Sequence, residues 1–499
     1  MELMKCRLIR GLLACLLAVC LLASLLSGCE QPERPAESTK PSSSAANTKS
    51  TEQEEITLRV LIEGDMSGRR NYLQNYLKKW VREYSDEHEN VQVVIEEIPK
   101  EEGREEALKR LRTELMIGEG PDILLLPTSP TLNGDLTQYV EPLIPDVQQA
   151  IQNGLFLDIS AFYEDDAELN TGALHQVIMD AGLYNGSRFV LPLSFDMPVA
   201  FVDKVGFAES GIPQDIFDYN AIEMLNYVAQ MEDPEAVGSF WQMYYHGAPL
   251  IFNFFPQLMD YENIKVEITA EDLTAYLRAW LAFQQRVGTA SQNGYALSGT
   301  YPLNFYGTDT AGAMEITFWA EDGLFAACES MLDASCNLIL ARTHGVELDI
   351  YPMRAVDGSV VADVTLYTAV SSGSKHPELA YGLMREFLSE RFQWQTEMNS
   401  DLAFYGWPVR TEGSTAHVCK NTLQFKGSEA FNGENISDAE LPVLNAQIDH
   451  VRFSIALEPE FADTVLKLYD VRNNAPADTD LDQLAQEWIN KLQHHADEG

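Results

Sequence analysis

The chain has 499 residues, 45% of them hydrophobic and 22% charged, with a formal net charge of −42 at pH 7. An acidic excess of this size repels nucleic acid and anionic headgroups, which argues against both as partners. The roughly 440 residues of globular composition exceed what one hydrophobic core usually supports, so two lobes are expected.

Lys5, Arg7 and Arg10 precede an apolar run from Gly11 to Gly28 that exits through Leu26-Ser27-Gly28-Cys29. A basic start, an apolar stretch and a small-residue site describe a secretory signal peptide over residues 1–28. An uncleaved anchor is the alternative, because the run is near the lower length limit for a spanning helix. Leu26-Ser27-Gly28-Cys29 resembles a bacterial lipobox. That resemblance implies cleavage before Cys29, lipid on its thiol, and a body held at the extracytoplasmic face of the cell membrane. Residues 29–55 are rich in Ser, Thr, Pro, Glu and Lys and nearly free of large apolar residues. They cannot bury enough surface to offset ordering, so they read as a disordered tether with an r.m.s. span of roughly 25–30 Å.

From Ile56 the composition turns globular. Ile56 to Ile62 alternates and is rich in branched residues, as a strand requires. Glu63 to Gly68 reads as a turn, and Tyr72, Leu73, Tyr76, Leu77, Trp80, Val81 and Tyr84 then recur at helical spacing. Val91 to Ile95 is a second strand, and Glu105 to Ile117 a helix with Leu108, Leu111, Leu115 and Met116 on one face. Gly118-Glu119-Gly120-Pro121 ends it before a short apolar strand, Asp122 to Pro127. Strand alternating with helix predicts a parallel sheet covered by helices. Near the end of the chain, Asp478 to Asp482 gives a capping-box-like start. Leu481, Leu484, Ala485, Trp488 and Leu492 then form one apolar stripe.

Several segments, in order, carry a family resemblance. Gly120-Pro121-Asp122-Ile123 is similar to the "GPD" turn of extracellular solute-binding proteins of ABC importers, in the sugar-binding branch. Asn153 to Ile159, Tyr184 to Pro192, Phe201 to Phe207, Ala311 to Met314 with Trp319, Ser371 to Tyr381, and Tyr405 to Arg410 resemble later motifs of the same family. The resemblance implies an α/β, two-lobed periplasmic-binding-protein-like fold. Each lobe would be a mostly parallel sheet flanked by helices, joined by a multi-strand hinge. Crossings fall near Leu193–Pro198, Ala362–Leu366 and Phe404–Pro408. Lobe one is then 56–195 with 364–405, and lobe two 196–363 with 406–499.

It also implies a monomer that captures a small solute, a sugar or short oligosaccharide first, and hands it to ABC permease subunits. A peptide, a polyol or a cationic compound stays open, and a solute-sensing or cell-surface lipoprotein is the alternative function. Sugar rings offer apolar faces that aromatic rings match, and hydroxyls that carboxylates and amides take. The resemblance puts Tyr245, Trp319, Tyr405 and Trp407 at the cleft. Asp65 and Ser67 follow the first strand, and Thr128 and Ser129 the third. Ligands of open α/β sheets bind at such carboxyl ends. Asp196 lies at the first crossing.

Catalysis is not expected. Ser372-Gly373-Ser374-Lys375 matches a short S-x-x-K pattern, but no S-D-N or K-T-G companion occurs, so these residues are expected to shape a helix entry. Nor is a metal or other cofactor expected. His417 and Cys419 have no further spaced ligands, and Asp478, Asp480 and Asp482 echo a calcium loop but Gln483 stands where its glycine belongs. Of seven cysteines, only Cys328, Cys336 and Cys419 lie in the body. A Cys328–Cys336 bridge and three reduced thiols both fit that pattern.

Overall fold

A computed structural model describes residues 55–63, 72–88, 90–99, 102–127, 143–144, 147–209, 211–231, 258–260, 265–292, 326–330, 338, 342, 345, 347–394, 407–411, 439–455 and 480–498. Strand β1 (Ile56–Glu63) is followed by helix α1 (Tyr72–Glu87), β2 (Val91–Ile98), α2 (Arg104–Met116) and β3 (Ile123–Pro127). β1 pairs in parallel with β2 along its whole length and with β3 through Val60↔Ile123. Parallel neighbours need a crossover, and the two helices supply it. On α1, Leu77, Trp80, Val81 and Tyr84 are buried at the predicted spacing. Trp80 packs on Phe387 with ring centroids 5.0 Å apart.

A hairpin of β4 (Leu183–Tyr184) and β5 (Ser187–Arg188) turns through Asn185 and Gly186, both at positive φ. That is the backbone an Asn-Gly turn provides. β6 (Val190–Asp196) then leads, after the single residue Met197, into β7 (Pro198–Asp203). Next come α3 (Ala221–Gln230), capped by a reciprocal Asn220–Glu223 box, the short pair β8 (Met259–Asp260) and β9 (Lys265–Val266), and α4 (Ala270–Gln292). β10 (Ala326–Ser330), β11 (Leu348–Pro352), β12 (Val360–Val370), α5 (Pro377–Glu386), β13 (Trp407–Pro408), α6 (Leu441–Ile448), β14 (Val451–Ile455) and α7 (Leu481–Glu498) follow, with several helices of six residues or fewer between the named elements.

The large sheet has the order β13-β6-β12-β3-β1-β2, with β14 added on β12. A second sheet has the order β10-β7-β11. The core residues fall into two clusters, although Val199 of β7 and Ile350 of β11 pack with the first. Leu58, Val60, Leu124, Leu126, Leu193, Val364 and Leu366 belong to the first, and Phe207, Phe217, Leu225, Tyr276, Trp280, Phe283 and Trp488 to the second.

The expectation of mostly parallel sheets is corrected here. β12 runs antiparallel to both β3 and β6, and the second sheet is antiparallel at both of its pairings. The cause is connectivity. β7 continues directly from β6, and β11 pairs against it before the chain returns along β12, so crossing strands oppose one another.

The lobe boundaries are finer than the sequence suggested. Leu444, Ile448 and Val451, expected in lobe two, pack in the first core, and β14 pairs with β12 in the large sheet. α7 does pack in the second core through Ala485, Trp488 and Leu492. Its entry also explains the aspartates there. Asp480 caps the helix by accepting the Gln483 N–H at 3.1 Å, and Asp482 pairs with Arg278 at 2.7 Å.

Candidate functional site

β6 lies between β12 and β13, so all three expected crossing segments are hydrogen-bonded neighbours, with Asp363↔Asp196, Val364↔Phe195 and Trp407↔Phe195 in register. The strands are nearly dry. Every residue of β6 except Asp196 is buried, and every residue of β12 except Asp363. Directly opposed residues on antiparallel strands project to the same face. The two half-exposed aspartates therefore sit side by side where the chain leaves one sheet for the other. Asp196 accepts the Met197 N–H at 2.8 Å, and both residues make further interactions.

One step deeper, the register of β12 slips between Val364 and Leu366, and the Ser194 and Thr365 hydroxyls bond each other at 2.8 Å in the core. A buried hydroxyl pair holds two strands together and is costly to split. Asp363 also raises the pKa of the Tyr367 hydroxyl, although burial is the larger cause. On the β13 side, the His175 N–H donates to the Val409 carbonyl at 2.9 Å and its ring meets Phe195 edge-on at 5.9 Å. Burial lowers the His175 pKa to about 4, against a weaker upward pull from Asp449. The hinge-side imidazole is thus neutral near pH 7.

The carboxyl ends of β1, β3 and β6 lie at one end of the large sheet, because β1 and β3 are parallel and β6 opposes the strand that opposes β3. β1 ends in Glu63, whose carboxylate holds Arg104 through contacts of 2.6 and 3.1 Å in a nearly buried ion pair. Asp65 and Ser67 follow that end and Thr128 and Ser129 follow β3, but all four lie outside the described residues, as do Tyr245, Trp319, Tyr405 and Cys29.

Of the expected solute contacts, the structure places Asp196 and Trp407. Asp196 stands half-exposed at the crossing. Trp407 is fully buried, so its ring packs within the first core. Asp363 was not picked out by the sequence reading, although it falls inside the second predicted crossing. No pattern sets it apart from other aspartates in a chain so acidic.

Elsewhere, an open cavity of about 360 Å³ lies beside β11 and α6, lined by Leu338, Leu348 and Val443 and by the paired Arg342 and Glu440. The S-x-x-K serines are tied down as loop anchors. Ser372 Oγ donates to the Gly154 carbonyl at 2.5 Å and Ser374 Oγ to Asp122 at 2.6 Å. Among the described residues, no cluster of His, Cys, Asp and Glu could hold a metal ion. Among them too, no helix is long and apolar enough to cross a membrane.

Two sheets with two core clusters, joined by adjacent strands, are the architecture of the two-lobed periplasmic binding proteins, and solved structures bear this out. The galacto-N-biose-/lacto-N-biose I-binding protein of the ABC transporter from Bifidobacterium longum, solved with lacto-N-biose, is similar with a TM-score of 0.54 at 14% identity. The match covers 89% of this chain and 99% of that one. The sugar-binding protein MalE from Xanthomonas citri is similar with a TM-score of 0.50 at 12% identity, over 89% and 98% of the two chains. At such identities the likeness defines the fold. No protein-family model matches the sequence, and no curated protein matches it.

Proposed function

We propose that this chain is a membrane-tethered binding protein that captures a small solute between its lobes and delivers it to an ABC permease, with a sugar or short oligosaccharide as the solute. The observation that carries the reading is the hinge. β6, β12 and β13 lie side by side, with half-exposed Asp196 and Asp363 where the chain leaves the large sheet. The chain leaves β1 and β3 at the same end of that sheet, and on this reading Asp65, Ser67, Thr128 and Ser129, which follow those strands in sequence, supply hydroxyl and carboxylate groups. Tyr245, Trp319 and Tyr405 supply aromatic faces.

Closure follows from differential contact. A solute that touches both lobes only in the closed state shifts the population toward that state by the extra contacts it makes there. Aspartates in a nearly dry hinge suit hydroxyl recognition, because a carboxylate accepts strong charge-assisted hydrogen bonds where water competes poorly. No bond in the solute is made or broken. The lipid on Cys29 and the tether up to residue 55 keep the body at the extracytoplasmic membrane surface, where the permease is. The proteins of similar fold that bind sugars support this reading, without fixing the solute, since one fold serves many ligands.

Thermal-shift screening of the chain against sugars, polyols and short peptides tests it. A captured sugar raises the unfolding midpoint with the logarithm of its excess over the dissociation constant. Midpoints that move with peptides alone would refute the carbohydrate assignment and leave capture standing.

A further inference from the structure

The end of the large sheet opposite Asp196 carries a surface that solute capture does not use. β1, β3 and β6 all begin there, and so the chain that follows Cys29 enters the body there, at Ile56. α2 ends at the same place and leaves Met116 78% and Ile117 64% exposed, the largest exposures of any large hydrophobic residue among those described.

A series of contacts ties the segment that follows these two side chains to the hairpin that precedes β6. The Gly118 backbone lies so close to Gly373 that a Cβ added to Gly373 would come within 2.6 Å of it. Ser372, next to Gly373, donates its N–H to Leu155 and its hydroxyl to Gly154. Gln152 Nε2 in turn donates to the Tyr184 hydroxyl at 2.7 Å, beside Leu183, which is 38% exposed at the foot of the Asn185-Gly186 hairpin. Exposed charges near these contacts are of both signs, with Lys375 against Glu119 and Glu378.

We propose that this end of the body rests on the lipid bilayer, with Met116 and Ile117 entering the headgroup boundary. The inference rests on the reading that Cys29 carries lipid. Scattered exposed apolar residues are ordinary on protein surfaces. What singles these out is their place, at the end to which the tether is joined. Two such side chains bind lipid weakly from solution, but attachment through the lipid on Cys29 holds them at an effective concentration on the order of millimolar, where weak contacts are occupied. The resting orientation leaves the strand carboxyl ends, with Asp196 and Asp363, turned to solvent for capture. Because the local charges are mixed, the contact is apolar and insensitive to salt.

The test uses the full chain carrying lipid on Cys29, in phosphatidylcholine vesicles that contain a nitroxide-bearing lipid. Cys328, Cys336 and Cys419 are changed to serine, and an environment-sensitive fluorophore is placed on Leu183→Cys or on Val205→Cys, an exposed apolar site of the second body. Lipid contact predicts quenching about threefold stronger at position 183 than at 205, unchanged in high salt and lost when Met116→Gln and Ile117→Ser are introduced together. Equal quenching at the two sites overturns the inference, as does a difference that survives the double substitution or disappears in salt. A chain that does not float with the vesicles overturns the lipid-anchor reading and this inference with it.

Discussion

Trp407 separates two accounts of the hinge, because the family resemblance places it among the solute contacts and the structure places it in the core. Its side chain is fully buried, on the strand that pairs with β6 at Phe195. A buried tryptophan removes about 150–250 Å² from water. At roughly 25 cal/mol per Å² that corresponds to about 4–6 kcal/mol of transfer free energy. Alanine retains a little of that burial and the site collapses in part, so Trp407→Ala is expected to cost about 3–5 kcal/mol. Urea unfolding followed by circular dichroism measures the loss, and titration of the solute found in the thermal-shift screen measures affinity. Core packing predicts the large stability loss with affinity within about threefold of the parent, since a shift of 0.65 kcal/mol already amounts to that factor. A loss under about 1 kcal/mol with a tenfold or greater fall in affinity would refute the placement and return the ring to the solute.

Breaking the nearly buried Glu63–Arg104 pair by Arg104→Met leaves a charge in the core and should cost about 3–5 kcal/mol. The double replacement Glu63→Leu with Arg104→Met should recover most of it, read by the same unfolding assay. Gly373→Ala drives a Cβ to 2.6 Å from the Gly118 backbone, which cannot rotate away as a side chain could. A loss of about 1–3 kcal/mol is expected, and an unchanged unfolding midpoint would contradict that close approach. His175 has a folded pKa of about 4, below its unfolded value near 6.5, so the unfolded chain takes up the proton first. Its contribution is intact above pH 6.5, falls as pH drops toward 4, and totals at most about 3 kcal/mol. His175→Leu should flatten that part of the stability-against-pH curve, and parallel curves for parent and variant would count against it. Cys29→Ala should move the protein from the membrane fraction to the soluble fraction, and retention on the membrane would favour an uncleaved anchor over lipid.

The first five elements were legible because they are local. Period-two branched residues at Ile56 to Ile62 and the 3–4 spacing of Leu77, Trp80, Val81 and Tyr84 are written in neighbouring residues, and the structure follows them, except that Met116, expected on the apolar face of α2 with Leu108, Leu111 and Leu115, is exposed at the end of that helix. The same holds for α7 and its buried stripe. The antiparallel second sheet was not legible, because β7, β10 and β11 pair across more than a hundred residues and none of the three announces its partner.

The site was readable only in part. The crossing segments came from resemblance, and their adjacency is a property of the whole sheet. Asp363 is the one residue of β12 that is not buried, beside Asp196 on the neighbouring strand, and no local pattern encodes that pairing. An aromatic residue such as Trp407 looks the same in sequence whether it packs or stacks. Glu63 and Arg104 lie 41 residues apart, and only the fold brings them together.

The central claim is that solute draws two sheet-based bodies together about strands β6, β12 and β13. Spin labels on Lys109→Cys in α2 and Glu223→Cys in α3, with the three body cysteines changed to serine, report the separation of the two bodies by pulsed dipolar spectroscopy. The account predicts a distance distribution that shortens and narrows as the solute saturates. A distribution that stays the same at saturating solute would contradict it.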